Sequence, residues 1–154
     1  MAWIYQIVTN PFLLTSLSSW GIVQIIKVII NAVIYKQYDW KRLFGDGGMP
    51  SGHSATVSSL ATITGLVYGF QSFEFAFTTI LAIIVCHDAM GVRMETGKQS
   101  MVLNEIIESL DLMFSHEVGE VKLKEMVGHT FPQVLVGITL GILDAILMHH
   151  IFFG

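Results

Sequence analysis

Cysteine, charge and basic residues are all scarce in this chain. A single cysteine, Cys86, cannot form an internal disulfide. Charged residues make up only 13% of the chain. Eight Lys and Arg stand against twelve Asp and Glu, for a net charge of −4, which excludes a nucleic-acid partner. The N-terminus lacks the basic region that opens a cleaved signal peptide. Neither a sequence repeat nor a low-complexity segment is present, and no recognisable zinc spacing occurs.

Apolar residues are abundant. They make up 53% of the 154 residues without counting glycine, and mean hydropathy is +0.63. Soluble domains reach roughly 45–50% with glycine included. The composition therefore predicts one integral-membrane domain over residues 1–154. A spanning helix needs about 20 mostly apolar residues. Four stretches qualify or nearly so: 12–35, 54–70, 73–92 and 131–153. Residues 1–9 are apolar but short, and Asn10-Pro11 interrupts them, so they read as interfacial. The predicted fold is all-α, a polytopic membrane helix bundle with about four spanning helices. An amphipathic cytoplasmic helix follows the third span, where Leu103, Ile106, Ile107, Leu110 and Phe114 share a face, and lies either on the membrane or on the bundle.

Lys36, Lys41 and Arg42 separate the first two stretches. Arg93, Lys98, Lys122 and Lys124 separate the last two, and the eighth basic residue, Lys27, lies inside the first. The positive-inside rule then places both basic loops in the cytoplasm, in a protein of the cell membrane.

Several polar groups lie where lipid would penalise them. Gln24, Lys27 and Asn31 share one stripe of the first span. A lysine there costs at least ~2.5–3.5 kcal/mol on insertion scales, so it faces the bundle or a wet cavity. It either binds an anion, snorkels, or pairs with Asp88 or Asp144. Asp88 and Arg93 are oppositely charged neighbours. Arg93 can grip a phosphate bidentately. Asp88 can orient a histidine, bind a metal or pair with Arg93. His53, Thr56, Ser59 and Thr62 follow one drifting face, where hydroxyls by default bond back to helix carbonyls. Gly65/Gly69 and Gly137/Gly141 permit close helix approach, either inside the bundle or at a homodimer seam. His149-His150 reads as interfacial.

The stretch FGDGGMPSGHSAT, 44–56, poses the functional question. Ser51 suits a helix cap and the glycines suit a turn. Neither explains a histidine on the same face as Gly128-His129 and most of the positive charge.

Two segments, PSGH (Pro50–His53) and GHTFPQVLVG (Gly128–Gly137), together resemble the phosphatidic acid phosphatase type 2 superfamily, which includes vanadium haloperoxidases. GGMPSGHSA, DAMGVR and GHT look like its divergent branch. The resemblance implies a lipid phosphate or pyrophosphate phosphohydrolase with no cofactor and no metal. It implies His129 as nucleophile and His53 as general acid, with Ser51 and the Gly52 amide on the phosphate and a residue four after His129 orienting its ring. That residue is Gln133 rather than an acid. The superfamily's Lys-x6-Arg-Pro motif is absent: Lys36 is one residue too close to Arg42, and Leu43 replaces the proline. The Ser-Arg before the second histidine is missing too, with Lys122 and Lys124 nearby. Asp88, Lys27, Arg42, Arg93 and Lys124 are the candidates to replace the missing charges. The expected partners are membrane lipids, a lipid phosphate substrate and a second copy of the chain. Two alternatives stay open: a non-catalytic phospholipid binder or carrier, and a metal-dependent enzyme using His53, His87, Asp88 and His129.

Overall fold

The computed structural model describes residues 2–36, 48–114, 123 and 128–154. Among them every regular element is a helix: α1 (Ala2–Val8), α2 (Pro11–Tyr35), α3 (Gly52–Tyr68), α4 (Phe73–Met90), α5 (Val92–Phe114) and α6 (Phe131–Phe153). Asn10-Pro11 divides α1 from α2, because the Asn10 side chain accepts from the amides of Phe12 (2.9 Å) and Leu13 (3.2 Å). Pro11 then occupies the first helical turn, where its missing N–H costs nothing. The described residues of α1 are all exposed, as an interfacial segment requires.

Three helical runs are long and apolar enough to cross a bilayer: Pro11–Ile34, Phe73–Leu110 and Phe131–Phe153. The 17-residue α3 is shorter and rich in Ser and Thr, yet it is the centre of the bundle. It packs against α2, α4 and α6. Its interior residues include Ser54, Ala55, Ser58, Ser59, Ile63 and Thr64. A helix enclosed by protein gains little from an apolar surface, so hydropathy understates it. Its hydroxyls are satisfied locally: Thr56, Ser58, Thr62 and Thr64 each donate to the carbonyl four residues back.

Close packing of α3 on α6 depends on glycine. A Cβ at Gly137 would crowd the Ser51 carbonyl, and one at Gly141 would meet Ser58 Oγ and the Ala55 carbonyl. The Gly137/Gly141 pair is thus used inside the bundle. Gly65 and Gly69 do different work. Gly65 leaves room for the rings of Phe70 and Phe75, while Gly69 ends α3 at φ +87°.

On α2 the buried row is Thr15, Ser19, Val23, Lys27 and Asn31, an i+4 ladder that drifts round the helix. At mid-bundle, Asp144 of α6 accepts from Ser18 (3.2 Å) and Ser19 (2.8 Å) of α2. The helix after α4 starts earlier than the apolar pattern indicates. Only Gly91 separates α4 from α5, so Arg93 lies in the first turn of α5 rather than in a loop.

Candidate functional site

The first histidine is positioned by a helix start. Ser51 is the N-cap of α3 and wholly buried. Its oxygen accepts from the Ser54 amide (3.3 Å) and the Ser54 hydroxyl (2.9 Å). The cap therefore orients the turn, and the next residues, Gly52 and His53, open the helix. Gly52 lies against Trp20 and Val23 of α2: a Cβ there would stand 3.6 Å from the Trp20 ring.

The second histidine is held by backbone. The His129 amide donates to the Ala89 carbonyl at the end of α4 (2.9 Å). Gly128 has φ +92°, and a Cβ on it would lie 2.5 Å from the Met94 nitrogen and 2.8 Å from the Arg93 carbonyl carbon. Only glycine fits between this segment and the first turn of α5. The Ser51 amide in turn donates to the Gln133 carbonyl (3.0 Å), which ties the two histidine segments together.

These restraints bring the two imidazoles close together. The ring centroids of His53 and His129 are 6.0 Å apart, with planes tilted by 59°. Residues 76 positions apart in sequence meet at one point, well inside the ~10 Å limit that hydrogen-bond reach to one small anion allows. His129 is 3% exposed, so its ring is largely withdrawn from solvent.

Gln133 decides which nitrogen of His129 carries the proton. Thr130 is the N-cap of α6 and Gln133 its N3 residue. The Thr130 amide donates to Gln133 Oε1 (3.1 Å), as in a capping box. An N–H aimed at that atom identifies it as the amide oxygen and not the nitrogen. The same oxygen lies 3.3 Å from His129 Nδ1. An oxygen can only accept, so a hydrogen bond here places a hydrogen on Nδ1, which in the neutral ring leaves the lone pair on Nε2. Sequence reasoning named Gln133 from the family pattern. It missed Thr130, although the Thr-x-x-Gln spacing of 130–133 is a capping-box signature.

The charged groups divide into three sets. Arg93 Nε meets Asp88 Oδ2 at 3.1 Å, with both side chains a little under half exposed. Asp88 therefore contacts Arg93, not a histidine, in the ion pair that was one of its open readings. Arg93 is nonetheless placed at the site, since its backbone underlies Gly128. Lys27 is buried, at 8% exposure, along with Gln24 and Asn31. Arg42 and Lys124 lie outside the described residues, as do Lys36's neighbours from 37 to 47. Among the described residues no three His, Cys, Asp or Glu gather as metal ligands, so His53, His87, Asp88 and His129 do not form such a set.

Helix polarity adds to these charges. The N-termini of α3 and α6 lie together here, at Gly52 and Phe131, tied by the Ser51 amide to the Gln133 carbonyl. Each carries a partial positive charge. The two histidine rings and two helix N-termini thus share one end of the bundle.

A model described as the Divergent PAP2 family matches residues 8–144. The chain belongs to that family. It is also 36% identical over 156 aligned positions to the uncharacterized membrane protein YuiD of Bacillus subtilis (strain 168), covering 96% of this chain and 99% of that protein. No solved structure matches it at a significant level. As a Divergent PAP2 family protein it is a phosphatase-like integral membrane protein. Both histidine segments fall within the matched residues.

Proposed function

We propose that this protein hydrolyses a phosphomonoester or pyrophosphate carried by a membrane lipid. The observation that carries the reading is the 6.0 Å separation of the His53 and His129 rings, with the Arg93 backbone against Gly128. Attack requires about 3–3.5 Å from nitrogen to phosphorus, and proton donation about 2.6–3.2 Å to the leaving oxygen. Those two spans and the P–O bond between them exceed the 6.0 Å between ring centroids, so the imidazoles swing apart as the phosphoryl group enters. His129 Nε2 forms the N–P bond while the P–O bond to the leaving group breaks. Protonated His53 gives its proton to the departing alkoxide. Water then attacks the phosphohistidine, with His53 as base, releasing phosphate and restoring both rings. Arg93, Lys27 and the helix N-termini offset charge on the non-bridging oxygens. The excess of Lys and Arg on the site face argues for a cytoplasmic site in the cell membrane.

The test is phosphate release from vesicles containing a phosphomonoester lipid. His129→Ala should abolish release. His53→Ala should lower it by roughly 10²–10⁴-fold, the usual worth of an acid–base group. Equal release by wild type and His129→Ala defeats the mechanism.

One observation favours a second reading, a non-catalytic phospholipid binder. Gln133 is neutral and cannot stabilise an imidazolium by charge as a carboxylate does. Lipid phosphate that co-purifies without turnover, and is lost with Arg93→Gln, would support binding alone.

A further inference from the structure

α5 has three sides. Its inner side carries Gly97, which is buried, and Asn104, whose side chain donates to and accepts from the Leu123 backbone at 3.0 Å each way. A second side carries the exposed Glu105, while the exposed Glu108 sits one turn past Asn104 on the inner side. The third is apolar and exposed: Val102 (56%), Leu103 (48%), Ile106 (48%), Leu110 (37%) and Met113 (76%). At 3.6 residues per turn these apolar positions cover an arc of roughly 120°.

Length decides what meets that arc. The helical run Phe73–Leu110 has 38 residues. At 1.5 Å per residue it is roughly 57 Å long, nearly twice the ~30 Å hydrocarbon core. α4 supplies 18 residues, enough for most of a crossing, and its exposed Phe77, Ile80 and Ile84 face lipid. α5 then passes through the mostly polar residues 93–100 before the apolar arc begins. Glu105 beside the arc and Glu108 opposite it oppose a second crossing. An exposed apolar arc with charge on the other faces, on a helix that follows a lipid-crossing segment, fits the boundary between headgroups and acyl chains.

We propose that α5 lies in the headgroup layer with Val102, Leu103, Ile106 and Leu110 turned into lipid, and that it thereby holds Arg93 and His129 at the depth of lipid phosphates. Gly128 rests on the Arg93–Met94 backbone, so the first turn of α5 and the second histidine share one depth. The placement of α5 stands on its own. The conclusion that the phosphate arrives on a lipid, rather than as a soluble ester, rests on the hydrolase reading above.

The experiment uses the full chain with Cys86→Ala, which removes its single cysteine. Leu103→Cys, Ile106→Cys, Glu105→Cys and Glu108→Cys then each carry an environment-sensitive fluorophore in phosphatidylcholine vesicles. Probes at 103 and 106 should emit to the blue and be quenched by doxyl-labelled lipid. Probes at 105 and 108 should be quenched several-fold more strongly by aqueous iodide. Iodide quenching at all four positions overturns the proposal by placing the arc in water. Shielding of 103 and 106 from both quenchers overturns it by placing a second protein surface there. The second part is read by Ile106→Glu: turnover of a vesicle-borne phosphomonoester should fall several-fold while a soluble aryl phosphate is unaffected. An equal loss on both refutes the depth argument. Wild type inert on both substrates refutes the hydrolase reading, and with it the substrate source, while the quenching pattern still decides where α5 lies.

Discussion

Gln133 offers the sharpest check on the site, because one oxygen serves two donors. Gln133→Leu keeps the side chain's bulk and removes Oε1. The Thr130 amide then loses its acceptor at 3.1 Å, and His129 Nδ1 loses its own at 3.3 Å. Losing a capping interaction costs about 0.5–2 kcal/mol. Losing an ordinary hydrogen bond costs about 0.5–1.5 kcal/mol. The sum, about 1–3.5 kcal/mol, corresponds to a fall in Tm of roughly 2–14 °C for a chain of this size. The share that acts on the ring shifts the ratio of Nδ1–H to Nε2–H tautomers by about 2- to 10-fold, using RT of 0.59 kcal/mol per e-fold. Side-chain ¹⁵N NMR of selectively labelled His129 reads that ratio directly, and thermal unfolding reads the cap. Gln133→Glu is the companion variant. It preserves the acceptor for both donors and adds a negative charge. That charge favours imidazolium, so the pKa of His129 rises relative to wild type. A nucleophilic imidazole must be unprotonated, so the acid limb of any pH–rate profile moves to higher pH. Unchanged tautomer ratio and unchanged Tm in Gln133→Leu would refute the assignment of the ring hydrogen to Nδ1.

Other outcomes follow from the same contacts. Gly128→Ala forces a Cβ against the Arg93–Met94 backbone and a side chain at φ +92°, and should destabilise by about 2–5 kcal/mol, measured by denaturant unfolding. Asp144→Ala leaves the hydroxyls of Ser18 and Ser19 without their acceptors and should cost about 1–3 kcal/mol, whereas Asp144→Asn, which keeps one of the two acceptor oxygens, should cost less in the same assay. Asp88→Asn removes the charge that holds Arg93 at 3.1 Å, so affinity for inorganic phosphate should rise several-fold by calorimetry. An unaltered or weaker affinity would show that Asp88 does not compete for Arg93.

Much of the architecture is legible in the amino-acid order. Asn10-Pro11, Ser51 and the glycines at 65, 69, 137 and 141 are local signals with local causes, and each marks a cap, a stop or a close approach. The apolar stretches give the long helices because lipid imposes a length and a composition on them. Hydropathy is weakest for α3, since a helix that faces only protein is free to carry Ser58, Ser59 and Thr64. The junction of α4 and α5 was also hidden. Gly91 reads as a break, yet the Gly91 amide still donates to the His87 carbonyl and its own carbonyl accepts from Glu95, so the helix runs on.

The sequence by itself determined a membrane-spanning helical chain and two histidine motifs of one family pattern, because composition, caps and spacing are properties of short segments. Only the tertiary structure decided that His53 and His129 meet. That meeting depends on the Ser51 amide reaching the Gln133 carbonyl and on Gly128 lying against α5. It also decided that Asp88 pairs with Arg93 and that Gln133 is shared between a helix cap and an imidazole. Those are contacts between distant segments and choices among competing partners, and packing is what makes the choice.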